Sequence, residues 1–327
     1  MPIPVRIPLF QTRRAVTVSV GRFENQRKAG QFALPFGDQP VRVLGGDAGD
    51  ELISLFKRDA RGSALVIGDS KKVLAQIPDQ AFQTCITSPP YWSLRNYNIP
   101  GQIGLELSLD EYIASLLDVF EQVRRVLRDN GTLWLNIGDS YTSGGRTWRA
   151  PDKKNPVRAM DIRPPTPKGL KPKDLIGVPW RLAFALQAAG WFLRADLIWN
   201  KPNCQPESVK DRPTRSHEYL FLFSKSERYV YDPAAVRGPN NRNVRTVWNI
   251  HTRAYRNAHF ATFPPTLVEP CVALGSRSGD LVLDPFVGSG TTGLVAVKMR
   301  RRFIGIELNP DYVGIAERRL NGAVVRD

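Results

Sequence analysis

The stretch "LVLDPFVGSGTTGLVAVKMRRRFIGIELNPDY", Leu281 to Tyr312, constrains the fold more than any other part of this 327-residue chain. "LVLD" is a short apolar run bounded by a turn, which reads as a buried strand. A turn with Gly288 and Gly290 follows and opens a helical segment. A second apolar run, "RFIGIEL", is followed by another helix at "NPDY". Strands that alternate with helices in this way form a mostly parallel sheet with helices on both faces.

The same alternation runs back through the chain. "ALVIGD" and "FQTCITSP" read as strands. "SLDEYIASLLDVFEQVRRVLRDNG" reads as a helix, with Ser108 and Glu111 spaced as a capping box and Gly131 as the stop. Its apolar residues (Ile113, Leu116, Leu117, Phe120, Val123, Leu127) recur at helical spacing. "TLWLNIGD", "WFLRADLIWNK" and "EYLFLFSKS" read as strands, and "DLIGVPWRLAFALQAAG" and "PPTLVEPCVALG" as helices. Residues 1–60 form an extension of open role, in which "QFALPFGDQPVRVLGGDAGDELISLFKRD" has room for a strand and one short helix. Residues 61–327 read as a single α/β domain, broken by two irregular basic insertions at 141–174 and 232–257.

Composition narrows the partners. Lys and Arg number 46 against 31 Asp and Glu, a net charge of +15, which favours a polyanion. The excess is clustered. Arg146, Arg149, Lys153, Lys154, Arg158, Arg163, Lys168, Lys171 and Lys173 crowd the first insertion. Arg237, Arg242, Arg245, Arg253 and Arg256 lie in a stretch, Pro233 to Val268, without any Asp or Glu. No apolar run approaches the length of a membrane span, and "MPIPVRIPLFQTRR" lacks the continuous apolar core of a signal peptide, so a cytoplasmic protein is expected. The three cysteines, Cys85, Cys204 and Cys271, have no disulfide or zinc spacing, and His217, His251 and His259 form no metal motif.

The glycine turn points to a ligand. It carries no Gly-Lys-Ser/Thr, so it is not a phosphate-cradling P-loop. Glycines at 288 and 290 allow close backbone approach, and the helix start with Thr291 and Thr292 offers donors. Asp284 stands on the strand before the glycines, where it can meet a cationic amine. Glu307 closes the next strand at the spacing of roughly 20 residues that suits a ribose diol. Adenosine with an amino-acid tail, as in S-adenosylmethionine, fits both acids. A glycine turn that serves packing alone is the plain alternative.

"CITSPPYWSLRNY", Cys85 to Tyr97, ends a core strand on Ser88, Pro89, Pro90 and Tyr91. With "TSPPYW" and "DPFVGSGTT" both present, in that order, the chain resembles the amino-methylating DNA methyltransferases of the permuted (beta) class, from about Ala64 to its end. The resemblance implies a Rossmann-like, S-adenosylmethionine-dependent fold. It makes "IGDS" with Asp69 the segment at the adenine and "NAHFATFPPTL", with Phe263 and Pro264, the segment over the methionine. It makes "DPFVGSGTT" (Asp284, Phe286, Gly288, Gly290, Thr291) and "IGIELN" (Glu307) the cofactor core. It also implies Ser88, Pro89, Pro90 and Tyr91 as the catalytic turn. Serine in the first position is the cytosine-N4 form, and Asp or Asn there the adenine-N6 form.

The chemistry suits these residues. An exocyclic base amine is a poor nucleophile, because its lone pair is delocalised into the ring. Two acceptors, the Ser88 hydroxyl and the Pro89 carbonyl, can draw the nitrogen toward tetrahedral geometry, using interactions that strengthen in the transition state. Pro-Pro supplies a rigid turn without competing N–H donors. Tyr91 would stack on a base flipped out of the duplex. Trp92, Arg95 and Asn96 follow, with room for a loop over the base or the DNA backbone or for a plain solvated loop. Asp139 either lines the base pocket or caps a loop. Pro270-Cys271, the dipeptide of cytosine-C5 enzymes, sits in an apolar helical stretch and reads as structural, as does Cys85.

The expected partner is double-stranded DNA, with the Arg/Asn-rich second insertion suited to base edges and the Lys-rich first to phosphates. A homodimer and a cognate restriction endonuclease are compatible with this class, and neither is readable from one chain. Adenine-N6 methylation, an RNA or protein-amide substrate, and a binding protein without catalysis are the competing readings. The positive charge opposes a protein substrate, and the intact acids and proline motif oppose loss of catalysis.

Overall fold

The computed structural model describes residues 40–57, 62–142, 148–150, 159–160, 163–252 and 263–324. Most of the N-terminal segment 1–60, His259 with the start of its motif, and parts of both basic insertions, Arg146, Lys153, Lys154, Arg158, Arg253 and Arg256 among them, lie outside the described residues.

Nine strands form one sheet. In chain order they are β1 (Arg42–Gly45), β2 (Ala64–Ile67), β3 (Phe82–Thr87), β4 (Leu127–Ile137), β5 (Phe192–Asn200), β6 (His217–Ser224), β7 (Val247–Asn249), β8 (Leu281–Asp284) and β9 (Arg302–Glu307). The helices are α1 (Gly49–Ser54), α2 (Ser70–Ala75), α3 (Leu109–Val126), α4 (Val178–Ala188), α5 (Pro265–Gly275), α6 (Thr291–Lys298) and α7 (Pro310–Val324). The strand order across the sheet is β1-β2-β9-β8-β3-β4-β6-β5-β7. From β1 to β4 every neighbour is parallel, and β6 is antiparallel to both β4 and β5. β1 and α1 fall in the segment left open by the sequence. β1 pairs with β2 as an edge strand, and Leu44, Leu52 and Leu55 enter the core.

Side chains alternate across the sheet with the period-2 rule of strands. Cys85, Leu133, Leu135, Phe221 and Phe223 enter one core with Leu74, Leu116, Phe120 and Leu182 from α2, α3 and α4. Ile86, Trp134, Leu220 and Leu222 enter the other, with Leu267, Val272, Val295 and Leu320 from α5, α6 and α7. Among the described residues no helix is long and apolar enough to cross a membrane.

The capping box of α3 forms as read, with Glu111 N donating to Ser108 Oγ at 3.2 Å and Ser108 N to Glu111 Oε2 at 3.0 Å. The helix does not continue to Gly131, however. It ends at Val126, and Leu127 is already extended and paired with Phe82. The register then shifts, and Thr84 pairs with Thr132. Tertiary bonds hold the intervening residues out of the helix. Arg128 reaches Gln83 Oε1 and Asp280 Oδ1 at 3.1 and 2.9 Å, and the carbonyls of Asp129 and Asn130 accept from Ser226 Oγ and Val230 N.

Candidate active site

The chain leaves β8 through α6 toward β9 on one side, and leaves β3 through α3 toward β4 on the other. β3 and β8 are neighbours, so their carboxyl ends form the switch point of the sheet, the place where open α/β sheets bind ligands. The strand ends there bring together Asp69 after β2, Glu307 on β9, Asp284 on β8 and Ser88 after β3. The two halves are joined directly: Thr87 Oγ1 donates to Asp284 Oδ1 at 2.7 Å.

Asp284 is only 1% exposed. The same oxygen also accepts from Phe286 N at 3.1 Å, which folds the Asp-Pro-Phe turn back on the strand. Burial pushes its carboxyl up to about 6, against the hydroxyls of Thr87 and Thr292 and the Phe286 amide, which favour the anion. Glu307 accepts from Gly288 N and Asn309 N, each at 2.9 Å. Burial pushes it to about 7, with the charge of Asp284 adding and the backbone amides opposing. No Lys or Arg of the described residues forms an ion pair with either acid. Two enclosed acids without a cation are a site that a cationic, hydroxyl-bearing ligand would complete, and S-adenosylmethionine is such a ligand.

Asp69 N-caps α2, accepting from Lys72 N at 2.9 Å, and the adjacent Ser70 Oγ donates to Pro285 O at 2.5 Å, which ties α2 to the turn after β8. Phe286 is half-buried against the core that holds α2, α3 and α4, and Phe263 and the buried Pro264 lead into α5. Gly290 and Thr291 also meet α7. Gly290 adopts φ +79°, and a Cβ there would lie 2.8 Å from Leu320 and 2.9 Å from Ala316, so its lack of a side chain lets α7 pack. The Thr291 hydroxyl accepts from Arg319 on α7 at 2.9 Å.

The Ser88–Tyr91 turn is braced from beneath. The Tyr112 hydroxyl on α3 donates to Pro90 O at 2.8 Å, and Trp92 stacks on Tyr112 and donates to Glu106 O. Ser88 is partly open, while Pro89 is buried. Tyr91 is fixed at its far end, where its hydroxyl donates to Glu218 Oε2 at 2.8 Å. Glu218, at the start of β6, is ion-paired with Lys201, whose ammonium lies 4.2 Å from the centre of the Trp199 ring. The sequence marked Glu218 only as the first residue of a strand. Its signal was an acid opening a strand that is otherwise aromatic and apolar.

Asp139 caps: its Oδ1 accepts from Ser140 N, Gly177 N and Val178 N, closing the start of α4, while Oδ2 faces Arg215 at 3.7 Å. Cys271 is buried in α5 and bonded to Leu267 O, and burial raises its thiol far from reactivity, which agrees with the structural reading. Arg149, from the first insertion, donates to the carbonyls of Leu94 and Ser93 at 3.1 and 3.3 Å, so part of that insertion is docked on the loop after the catalytic turn. In the second insertion Arg242, Asn243, Arg245 and Asn249 are exposed around β7, the edge strand parallel to β5.

Sheet order, switch-point crevice and strand-end acids together define a methyltransferase-type α/β fold. A family model described as DNA methylase, covering the N6 and N4 amino-methylating enzymes, matches residues 82–318, and the chain belongs to that S-adenosylmethionine-dependent family. The chain is 59% identical over 266 residues to the type II methyltransferase M.XycI of Xanthomonas campestris pv. cyanopsidis, covering 80% of this chain and 89% of that protein. It is 55% identical over 280 residues to M.SmaI of Serratia marcescens, covering 84% and 96%. Among solved structures, the cytosine-N4-specific PvuII DNA methyltransferase aligns with a TM-score of 0.60 at 22% identity, over 81% of this chain and 92% of that one. A putative DNA modification methylase from Thermus thermophilus, in complex with S-adenosyl-L-methionine, aligns at 0.56 and 24% identity, over 88% and 98%.

Proposed function

We propose that this DNA methyltransferase transfers a methyl group to the exocyclic N4 amine of cytosine, at specific sites in duplex DNA, as the modification enzyme of a type II system. One observation carries the reading: Ser88 ends β3 directly beside the β8 end that carries Asp284, with Thr87 bonded across at 2.7 Å. A base amine held at Ser88 and a methyl donor held at Asp284 would then share one crevice.

S-adenosylmethionine, when bound, supplies a methyl group on a sulfonium. Asp284 gives negative charge at its amine end, Glu307 accepts from the ribose and Asp69 lies toward the adenine. Phe263, Pro264 and Phe286 enclose the apolar parts, and Gly288 leaves room at the turn. Gly290 and Thr291 serve by seating α6 on α7. The Ser88 hydroxyl and Pro89 carbonyl accept from the target amine and align its lone pair. Tyr91 flanks the flipped base, and Pro90 keeps the turn rigid. Serine at position 88 supports cytosine over adenine. The names of the similar type II methyltransferases support the modification role. Base reading belongs to the 232–257 insertion, where Arg242, Asn243, Arg245 and Asn249 are exposed, and phosphate contact to the Lys-rich 141–174 insertion.

The test is to incubate the protein with duplex DNA and labelled S-adenosylmethionine, digest to nucleosides and identify the product by mass. Labelled N4-methylcytosine is the expected outcome. N6-methyladenine would replace the base assignment, and no label on any DNA would leave a binding protein.

A further inference from the structure

Arg215 is enclosed without the hydrogen bonds that an enclosed guanidinium calls for. Its side chain is 14% exposed, and its buried Nε has no hydrogen-bond partner among the described residues. Its Nη1 stands 3.7 Å from Asp139 Oδ2, which balances charge but lies beyond hydrogen-bond length. Asp139 is fixed by its other oxygen, which accepts from the amides of Ser140, Gly177 and Val178. The backbone beside the arginine is fixed too. Arg215 N donates to Glu207 Oε2 at 3.4 Å, and Ser216 O accepts from Lys201 N at 2.7 Å. Buried donors left unpaired are costly, so a fork held in this way marks a place for an acceptor.

The fold sets that fork at the sheet edge that carries Ser88. β6 runs antiparallel to β4, with Tyr219 opposite Ile137, so Arg215, just before β6, lies at the carboxyl ends of β3 and β4. Ser88 and Arg215 therefore flank the end of β4, from strands two spacings apart, about 10 Å. Tyr91 bridges the interval. A Cβ on Gly138, just after β4, would stand 2.8 Å from Tyr91 Cε2, and the Tyr91 hydroxyl donates to Glu218 Oε2 at 2.8 Å. A planar base resting on the Tyr91 ring, with its amine at Ser88, would direct its far edge toward β6 and Arg215.

The two candidate bases differ at that edge. Next to the exocyclic amine, both carry a ring nitrogen that accepts. Beyond it cytosine carries the O2 carbonyl, whereas adenine carries a C–H. A guanidinium has only donors, arranged as a fork that matches two adjacent acceptors.

We propose that Arg215 is a specificity-determining residue: its guanidinium donates to N3 and O2 of the flipped target cytosine, and it discriminates against adenine, which lacks the second acceptor. The contact completes the hydrogen bonds of the fork. The inference rests on the cytosine reading given above and adds a second determinant to Ser88.

The test is a cycle between one side chain and one substrate atom. Single-turnover rates are measured for the native protein and Arg215→Met on a duplex that the native protein methylates. They are measured again on the same duplex with 2-thiocytosine at the target position, where sulfur is a weak acceptor and the amine and N3 stay in place. The native protein is expected to be about tenfold slower on the thio duplex. Arg215→Met should transfer to cytosine about ten- to a hundredfold more slowly, the range for a lost bidentate contact, and should treat the two duplexes alike within about twofold. Its cofactor Kd by calorimetry should match the native value, which also reports that the variant is folded. A native rate on cytosine in Arg215→Met would overturn the proposal. So would a sulfur effect as large in the variant as in the native protein, which would place Arg215 on the sugar-phosphate backbone. Should Arg215→Met fail to fold, Arg215→Lys keeps a charge beside Asp139 without the fork. It should slow transfer to cytosine about tenfold and weaken the sulfur effect, and a native rate there has the same force against the proposal. The product keeps the two readings apart. Labelled N6-methyladenine from the native protein removes the cytosine assignment itself. Labelled N4-methylcytosine, with a native rate in Arg215→Met, removes only the present inference.

Discussion

At the carboxyl ends of β8 and β9, Asp284 and Glu307 are held, among the described residues, by hydroxyls and backbone amides, whereas the carboxylate of Glu218, bonded to Tyr91 of the proline turn, is already neutralised by Lys201. The first arrangement leaves two enclosed acids short of positive charge. The second is electrically complete before any ligand arrives. The difference matches the two molecules that the crevice would receive. A sulfonium with an ammonium group brings cationic charge and gains from uncompensated acids. A target base is neutral, and what it needs is orientation, which a closed ion pair and a fixed hydroxyl supply without adding net charge.

The sharpest way to break this comparison is Ser88→Ala. It should lower turnover about 10²- to 10³-fold, the range for loss of a preorganised hydrogen-bonding group, while cofactor affinity measured by calorimetry stays at the native value. A parallel loss of affinity would show that the two halves are not separate. Next in size is Asp284→Asn, which keeps the shape of the Thr87 contact but removes the charge. Weakening of S-adenosylmethionine binding by about ten- to a hundredfold is expected, from about 1.5–3 kcal/mol for a charged hydrogen bond. Unchanged affinity would move the amine partner elsewhere.

A pH series sharpens the same contrast. The acids titrate at about 6 and about 7 in the folded protein, above their ordinary 3.8 and 4.5. Cofactor binding draws on the ionised forms, so affinity should fall as pH drops through 7 and then 6. For folding the sign is reversed. A carboxyl with a raised folded pKa is more protonated in the folded than in the unfolded state, so these two groups cost the ligand-free protein stability as pH rises from about 4 to about 7. Thermal midpoints of the ligand-free protein should show this, and Asp284→Asn should flatten the lower part of the profile. The smallest effect belongs to Cys271→Ser. Methylation assayed with labelled cofactor should be nearly unchanged, because the thiol is sealed inside α5.

What the sequence disclosed follows from the range of the interactions involved. The strand, glycine turn and acid of the Asp284–Glu307 region are all set by neighbours along the chain, and they were readable as they stand. The end of α3 was not, because Leu127 leaves the helix for a strand partner, Phe82, and Arg128 is drawn off by Gln83 and Asp280. Asp139 could be read either as a pocket wall or as a cap, since the amides that it caps lie beyond a long insertion, at Gly177 and Val178. Glu218 and Lys201 stayed hidden for a similar reason. Each looks like an ordinary charge at a strand end, and only the register of β5 against β6 makes them neighbours, with Tyr91 reaching them from β3 across the end of β4. The packing of Gly290 and Thr291 on α7 was also hidden, because Ala316, Arg319 and Leu320 are set against them only by the fold.

The order of strands has a consequence for how the molecule is made. β8 and β9 come last in the chain yet stand between β2 and β3, so the middle of the sheet stays open until the final strands slot in like a keystone. The bond from Thr87 to Asp284 closes a span of 197 residues. During synthesis the two flanks must wait, with Leu65 and Cys85 lacking their partners, and the cofactor can stabilise only a finished chain. A nascent chain halted before Leu281 should gain no protection from proteolysis when S-adenosylmethionine is added, while one released beyond α7 should gain it at once.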